Sequence, residues 1–323
     1  PALWGPGLWE RRTRHLVRRG MAVIAAAVGL VCLFSPPGFV DLIELKMLDW
    51  HAALRGPIAP PPSITVVSID EKSLERAFAG AHGVYAVTFF WAHMKPEQEI
   101  DEARRIAAAA KAAGVRHVVW STLEDTRKLV PLSDDRMPTL MGRYKVPHFD
   151  AKGEANRAFT DAGVPTTFLL TSFYWDNLIH FGMGPKKGPD GVLGFTLPMG
   201  QAKLPGIAAE DIGRCAYGVF QRGDTLIGKT VGIAGEHLSG AEMAAALGRA
   251  LGKEVRHNDV SPEAFRRFGF PGADDLGNMF QFKRDFEREF RAARDPAFAR
   301  RLNPALQSFD AWLATNAARI PLE

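Results

Sequence analysis

Cysteine is nearly absent: the 323 residues hold 2, Cys32 and Cys215. Two thiols so far apart in sequence exclude a disulfide framework and a cysteine-rich zinc site. A large excess of one charge is also missing. The formal net charge is +4, and Arg11, Arg12, Arg14, Arg18 and Arg19 carry much of it, so the body is close to balanced. A balanced body argues against a broad nucleic-acid surface. Long apolar runs are scarce. Met21 to Phe34 is uncharged, but at about 14 residues it falls short of the ~20 that a spanning helix needs. What is present, 46% hydrophobic and 24% charged residues, suits a packed globular core rather than disorder. The length allows one large domain or two.

The arginines ahead of Met21–Phe34 follow the positive-inside pattern, which makes 21–34 a candidate membrane anchor. The competing reading is a buried or interfacial helix, because Pro36 and Pro37 block its extension. DLIELKMLDWHAALRG follows, with Leu42, Leu45, Leu48 and Ala52 at helical spacing. Pro57, Pro60, Pro61 and Pro62 then break the chain. Ile64 to Ile69 reads as a buried strand. The organisation expected is a basic tail and apolar helix over 1–40, a short fragment over 41–75 and a larger domain over 76–323.

From Ser73 onward helices and strands alternate, the pattern of a parallel α/β sheet. Strands are expected at Val84–Phe90, His117–Thr122, Thr166–Leu170 and Thr230–Ala234. Helices are expected at Ser73 to about Gly80, Glu97–Ala113, Lys152–Ala162 and Ala208–Phe220. Ser239 and Glu242 form a capping box opening a helix that runs to Leu251. The final part is helix-rich.

The pieces AFAGAHGVYAVTFFW, AAGVRHVVWSTLED, VPHFDAKGEANRAF, AGVPTTFLLTSFYWDNL, GFPGADDLGNMFQF and LNPALQSFDAWL occur in order. Together they resemble the NmrA-like family, an atypical branch of the short-chain dehydrogenase/reductases, over about 73–323. Separately, the stretch 32–75 resembles the opening of a CHASE-type extracytoplasmic sensor domain. The NmrA-like resemblance implies a Rossmann-like parallel sheet with a smaller α+β C-terminal lobe. It also implies NADP or NAD as cofactor, in a redox sensor acting on a regulatory protein partner. The alternatives are an NAD(P)H-dependent reductase of a quinone or other small carbonyl compound, and a fragment of a membrane-tethered sensor. A cytoplasmic α/β domain without direct nucleic-acid contact is expected.

One family feature has no visible counterpart. The family's first strand leads into a glycine-rich turn whose backbone N–H groups hold the pyrophosphate. The corresponding region here holds the basic tail, the apolar run and the prolines. Ile64–Ile69 matches at most the family's third strand. A truncated or chimeric domain with weakened cofactor binding is therefore expected.

Active short-chain reductases usually pair Tyr-x-x-x-Lys, the lysine holding the nicotinamide ribose and lowering the tyrosine pKa. This chain offers His148-x-x-x-Lys152 instead, and Tyr144 stands too early. His148 and Lys152 are the catalytic candidates, with Lys152 also a ribose contact. Ligands of open α/β sheets sit beyond the carboxyl ends of the strands. By that rule and by the resemblance, Thr88, Phe89, Phe90, Ser121, Tyr174, Trp175, Asp176 and Asn177 are cofactor-binding candidates. No metal site is expected. Gly223 to Thr230 spells the P-loop pattern, but a helix precedes it and a strand follows, the reverse of what that motif needs. Gly182–Gly188, with Lys186 and Lys187, reads as a loop. Arg256, His257, Lys283, Arg284, Arg288 and Arg291 read as solvated helix faces or ends. Glu97, Glu99, Asp101 and Glu102 suit a helix N-terminal turn.

Overall fold

The computed structural model describes residues 71–322. The chain divides into two units, Pro1–Val66 and Val67–Glu323, and the described residues belong to the second. The expected apolar helix over 21–34, the helix over 41–56 and the strand Ile64–Ile69 lie outside the described residues. Among those described, no helix is long and apolar enough to cross a membrane.

The first part alternates helix and strand: α1 (Glu71–Phe78), β1 (Gly83–Ala86), α2 (Pro96–Ala112), β2 (His117–Thr122), α3 (Pro147–Asp161) and β3 (Thr166–Leu170). β4 (Phe173–Tyr174), α4 (Asn177–His180), β5 (Lys186–Lys187), β6 (Leu193–Thr196) and β7 (Leu204–Ile207) follow. Next come α5 (Ala209–Gln221), β8 (Thr230–Gly232), β9 (Glu236–Leu238), α6 (Gly240–Leu251) and β10 (Val255–Asn258). The chain closes with α7 (Pro262–Arg266), α8 (Ala273–Asp285), α9 (Glu287–Ala292), α10 (Pro296–Leu302) and α11 (Phe309–Asn316).

β1, β2, β3 and β8 form a parallel sheet in that order. This is the expected α/β fold. β2 and β3 are buried at every position, as central parallel strands covered on both faces must be. Alternate residues part company, as the two-residue period of a strand requires. Val118, Trp120 and Phe168 pack with Ile100, Ile106 and Phe159 of α2 and α3. Val119 and Leu169 pack with Ile212, Cys215 and Val219 of α5 and Leu302 of α10. Gly218 lets α5 lie directly on the Leu302 backbone, where any Cβ would collide.

Local signals set the helix ends. Pro96 and Pro147 sit in the first turns of α2 and α3, where a missing N–H costs nothing. Gly114 and Gly163 follow the two helices at φ +66° and +63°, the left-handed conformation that glycine adopts freely. The Ser239–Glu242 capping box is formed in both directions at the start of α6. Ser239→Ala is expected to cost about 1 kcal/mol, read as a melting-point drop of about 2–4 °C.

The smaller lobe is α+β. It holds two three-stranded sheets, ordered β10-β6-β5 and β4-β7-β9. Its core gathers Trp175, Phe195, Met243, Phe280, Phe282, Phe290, Phe309 and Trp312.

Four readings are corrected. β1 stops at Ala86, so Thr88 and Phe89 belong to the loop beyond it and Phe90 opens a short 3-10 turn, Phe90–Ala92. Lys186 and Lys187 are not plain loop but the short strand β5, paired with β6. Arg256 and His257 lie not on a helix but on the strand β10, parallel to β6, with Arg256 exposed and His257 Nε2 3.0 Å from the Leu197 carbonyl. Lys283 is not solvated but 4% exposed, because α8 is enclosed by the lobe's aromatic residues. The P-loop look-alike behaves as expected: α5 precedes it, β8 follows, and Gly223 and Gly228 turn the chain at φ +55° and +77°.

Candidate functional site

The loop after β1 meets α2 and α3 at the carboxyl end of the sheet. Lys152 Nζ lies 2.6 Å from Glu99 Oε1, 2.8 Å from Thr88 Oγ1 and 3.0 Å from the Thr88 carbonyl. The Thr88 hydroxyl in turn donates to Glu99 Oε1. Thr122 Oγ1 donates to the Lys152 carbonyl at 3.0 Å, which ties α3 to the end of β2. The Trp120 ring lies 5.4 Å from the ammonium. Burial pushes the Lys152 pKa below its ordinary value, and Glu99 opposes that shift.

Glu99 is fully buried. Its Oε2 lies 3.3 Å from His93 Nε2, and Glu102 Oε2 lies 3.7 Å from the same nitrogen. Three such ligands so close are a candidate metal cluster among the described residues. The tautomer speaks against it. The Lys95 N–H donates to His93 Nδ1 at 2.9 Å, so in the neutral ring the proton sits on Nε2 and faces the carboxylates. The trio therefore reads as charge neighbours of the ion pair, with His93 Nε2 and Glu99 Oε2 buried close together but making no hydrogen bond.

His148 lies one helical turn before Lys152. Its Nδ1 is 2.6 Å from Asp275 Oδ1, and its backbone N–H donates to Asp275 Oδ2 at 3.2 Å. Trp91, Phe149 and Phe90 surround the ring at 4.8, 4.9 and 5.9 Å.

The two phenylalanines after β1 part. Phe90 is buried and packs edge-on against Trp91. Phe89 is 53% exposed, 6.4 Å from Phe181, and alone offers an apolar wall. Ser121 is buried at the end of β2, and the Tyr174 phenol, whose pKa burial drives up, lies 3.3 Å from Thr171 Oγ1. Trp175 is buried in the smaller lobe, its ring 5.2 Å from that of Phe309. Asp176 Oδ2 accepts the Ala209 N–H at 2.7 Å, capping α5. The Asn177 carbonyl accepts N–H groups from Phe181 and Met183. The structure thus joins Thr88, Thr122 and Lys152, with His148 one turn away, and gives Trp175 and Asp176 packing and capping tasks. Tyr144 donates to Glu97 Oε1 at 2.9 Å; burial and Glu97 drive its pKa up, away from proton donation at neutral pH.

The β1–α2 connection has no glycine and the β2–α3 connection has one, Gly142. Gly188, Gly191 and Gly194 stand at GxxGxxG spacing, but they occupy the β5–β6 hairpin and lead into a strand. An open groove of about 590 Å³ is lined by His237, Arg288 and Arg291 among others. Its arginines are paired, Arg291 with Glu287 and Arg288 with Glu289.

The NmrA-like family model matches residues 40–313. An NAD(P)H azoreductase of Xenophilus azovorans is 27% identical over 194 residues, 60% of this chain and 60% of the relative. The nitrogen metabolite repression protein nmr of Neurospora crassa is 27% identical over 201 residues, 60% of this chain and 38% of its own. The chain thus spans about 60% or less of the length of these curated relatives. A solved structure of NmrA, a negative transcriptional regulator, in complex with NAD is similar with TM-score 0.61 at 22% identity, covering 76% of each chain. The NADP complex of NmrA gives 0.59 over the same shares. The family match begins well ahead of Ser73 and takes in most of 32–75; the CHASE-type resemblance there has no support beyond its own motifs.

Proposed function

The chain belongs to the NmrA-like family, and from that premise we propose that it is an NAD(P)-responsive regulator, acting on a protein partner, with a weakened grip on its nucleotide. The observation that carries the weakening is Lys152. An ammonium has three donors, and three acceptor atoms of Thr88 and Glu99 already lie within 3.0 Å. Reaching a ribose hydroxyl requires giving up one of them. The residues described therefore fit the nicotinamide ribose only in competition with Glu99. They do not fit the pyrophosphate, since no strand-to-helix turn among them is glycine-rich.

A redox sensor needs the two nucleotide forms to act differently, because a ligand with equal affinity for both protein states shifts nothing. Titrating NADPH and NADP+ against the full chain tests the reading. Dissociation constants weaker than about 1 μM, a binding free energy no stronger than about −8 kcal/mol, are expected. Submicromolar binding overturns the weakened grip. Partner capture that ignores which form is present overturns the sensor.

The second reading, an NAD(P)H-dependent reductase of a quinone or small carbonyl compound, is favoured by His148. That side chain carries a carboxylate partner that a merely structural histidine does not need. Substrate-dependent NADPH consumption by the full chain distinguishes the two readings.

A further inference from the structure

We propose that Asp275 is a positioning residue that fixes the tautomer of His148, so that the pair forms an acid–base dyad with Nε2 as the working nitrogen. A carboxylate only accepts hydrogen bonds, so the 2.6 Å contact places the proton of the neutral ring on Nδ1. Nε2 then carries the lone pair, and among the described residues the one hydrogen bond given for the His148 ring runs from Nδ1 to Asp275. The second carboxylate oxygen takes the His148 backbone N–H, one of the donors that a helix start leaves without an intrahelical partner. One side chain thus grips both the backbone and the ring, which removes the freedom of the imidazole to turn.

The clamp joins residues 127 apart in sequence and ties α3 to the first turn of α8. Gly272, at φ +84°, makes the approach feasible: a Cβ there would lie 2.8 Å from the Trp91 ring, and Trp91 packs on His148. Asp275 stands near the N-termini of both helices, where a negative charge is favourable. In the step this permits, Nε2 takes a proton from a ligand hydroxyl as the O–H bond breaks and the N–H bond forms. The resulting imidazolium is paired with the Asp275 carboxylate. The return transfer delivers the proton to a ligand oxygen, and no electrons change hands.

The inference goes beyond the regulatory reading, and its test needs no nucleotide or turnover. Imidazole nitrogen NMR of the full chain labelled at histidine, with His148 assigned by His148→Gln, reads the tautomer directly. In alkaline buffer a pyrrole-type Nδ1 and a pyridine-type Nε2 are expected. A proton on Nε2 in the unaltered protein overturns the proposal.

Asp275→Asn has one carbonyl oxygen, which the His148 backbone N–H claims. Its amide then donates to Nδ1 and forces the proton onto Nε2, the logic by which a carboxylate selects the tautomer of a triad histidine. The expected result is a reversed tautomer with unchanged circular dichroism, and an unchanged tautomer overturns the positioning role. If Asp275→Asn fails to fold, Asp275→Glu, which keeps the carboxylate, is expected to keep the Nδ1–H form; its reversal overturns the proposal. Failure of the NADPH titration leaves these outcomes untouched.

Discussion

Lys283→Met is expected to stabilise the protein at neutral pH by about 2–4 kcal/mol. Lys283 is 4% exposed, and among the described residues its ammonium finds only the Met279 sulfur, at 3.2 Å. Phe149, Phe290 and Phe280 lie 5.4, 5.4 and 5.7 Å away. Burial, reinforced by Arg294, pushes its pKa from 10.5 down to about 7. At 1.36 kcal/mol per unit the displacement corresponds to about 5 kcal/mol. The three aromatic faces attract the cation and offset part of that, which sets the lower figure. Methionine keeps the length and removes the charge, a swap that cores tolerate.

The pH dependence gives the prediction its sign. Between about 7 and 10.5 the unfolded lysine is protonated and the folded one is not. The unfolded state then binds more protons, so stability rises with pH across that window, by about 1.4 kcal/mol per unit from this residue. Below about 7 both states are protonated and the penalty is full and constant. The variant is expected to melt about 5–10 °C higher at pH 7 and to lose the alkaline rise. A variant less stable than the parent, or one keeping the same slope, defeats this account.

Sequence legibility followed the range of the interactions. His117–Thr122 and Thr166–Leu170 are readable to the residue because a glycine three residues ahead opens each β-branched and aromatic run. The Ser239–Glu242 box was readable because both halves lie within one turn. β1 is shorter than its sequence suggests. VYAVTFF is apolar but for Thr88; pairing with β2 ends at Trp120, and Thr88 turns down onto Lys152 and Glu99.

The site was half legible. Lys152 and His148 stood out through the family resemblance, whereas their partners did not. Glu99 looked like an ordinary first-turn acid. One local signal marked it: Glu99, Ala103, Ile106 and Ala110 form a single helical stripe, and its last three members are core residues. Asp275 carried no such mark, since its role depends on a helix more than a hundred residues away. Lys283 departs from the solvated face that its charge suggests for a related reason. α8 is buried around most of its circumference, so the usual rule that lysine marks the wet face failed.

Glu124→Ala is expected to cost about 3–5 kcal/mol, the cost of leaving a buried charge without its partner. Arg294 is fully buried. It donates to both Glu124 oxygens, at 2.5 and 2.8 Å, and to the Thr171 carbonyl at 2.7 Å, with its guanidinium 3.6 Å from the Phe290 ring. The loops after β2 and β3 are thereby fastened to the C-terminal helices. Arg294→Met should cost less, because Glu124 is 23% exposed and can take water in place of the guanidinium. The consequence reaches the site through Gly153, where a Cβ would stand 2.5 Å from the Asp125 nitrogen. The Glu124–Asp125 backbone lies flat on α3, the helix that carries His148 and Lys152, so loosening Glu124 should raise amide exchange in 122–128 and in the first turns of α3. The substitution also couples to Lys283, whose pKa Glu124 raises and Arg294 lowers. Without Glu124 the buried ammonium is worse off, so the gain from Lys283→Met should be larger in the Glu124→Ala background than in the parent. Denaturant unfolding of the two single variants and the double variant measures that coupling. A loss below about 1 kcal/mol for Glu124→Ala, the range of an exposed pair, or strict additivity with Lys283→Met, would show that the guanidinium is not held as described.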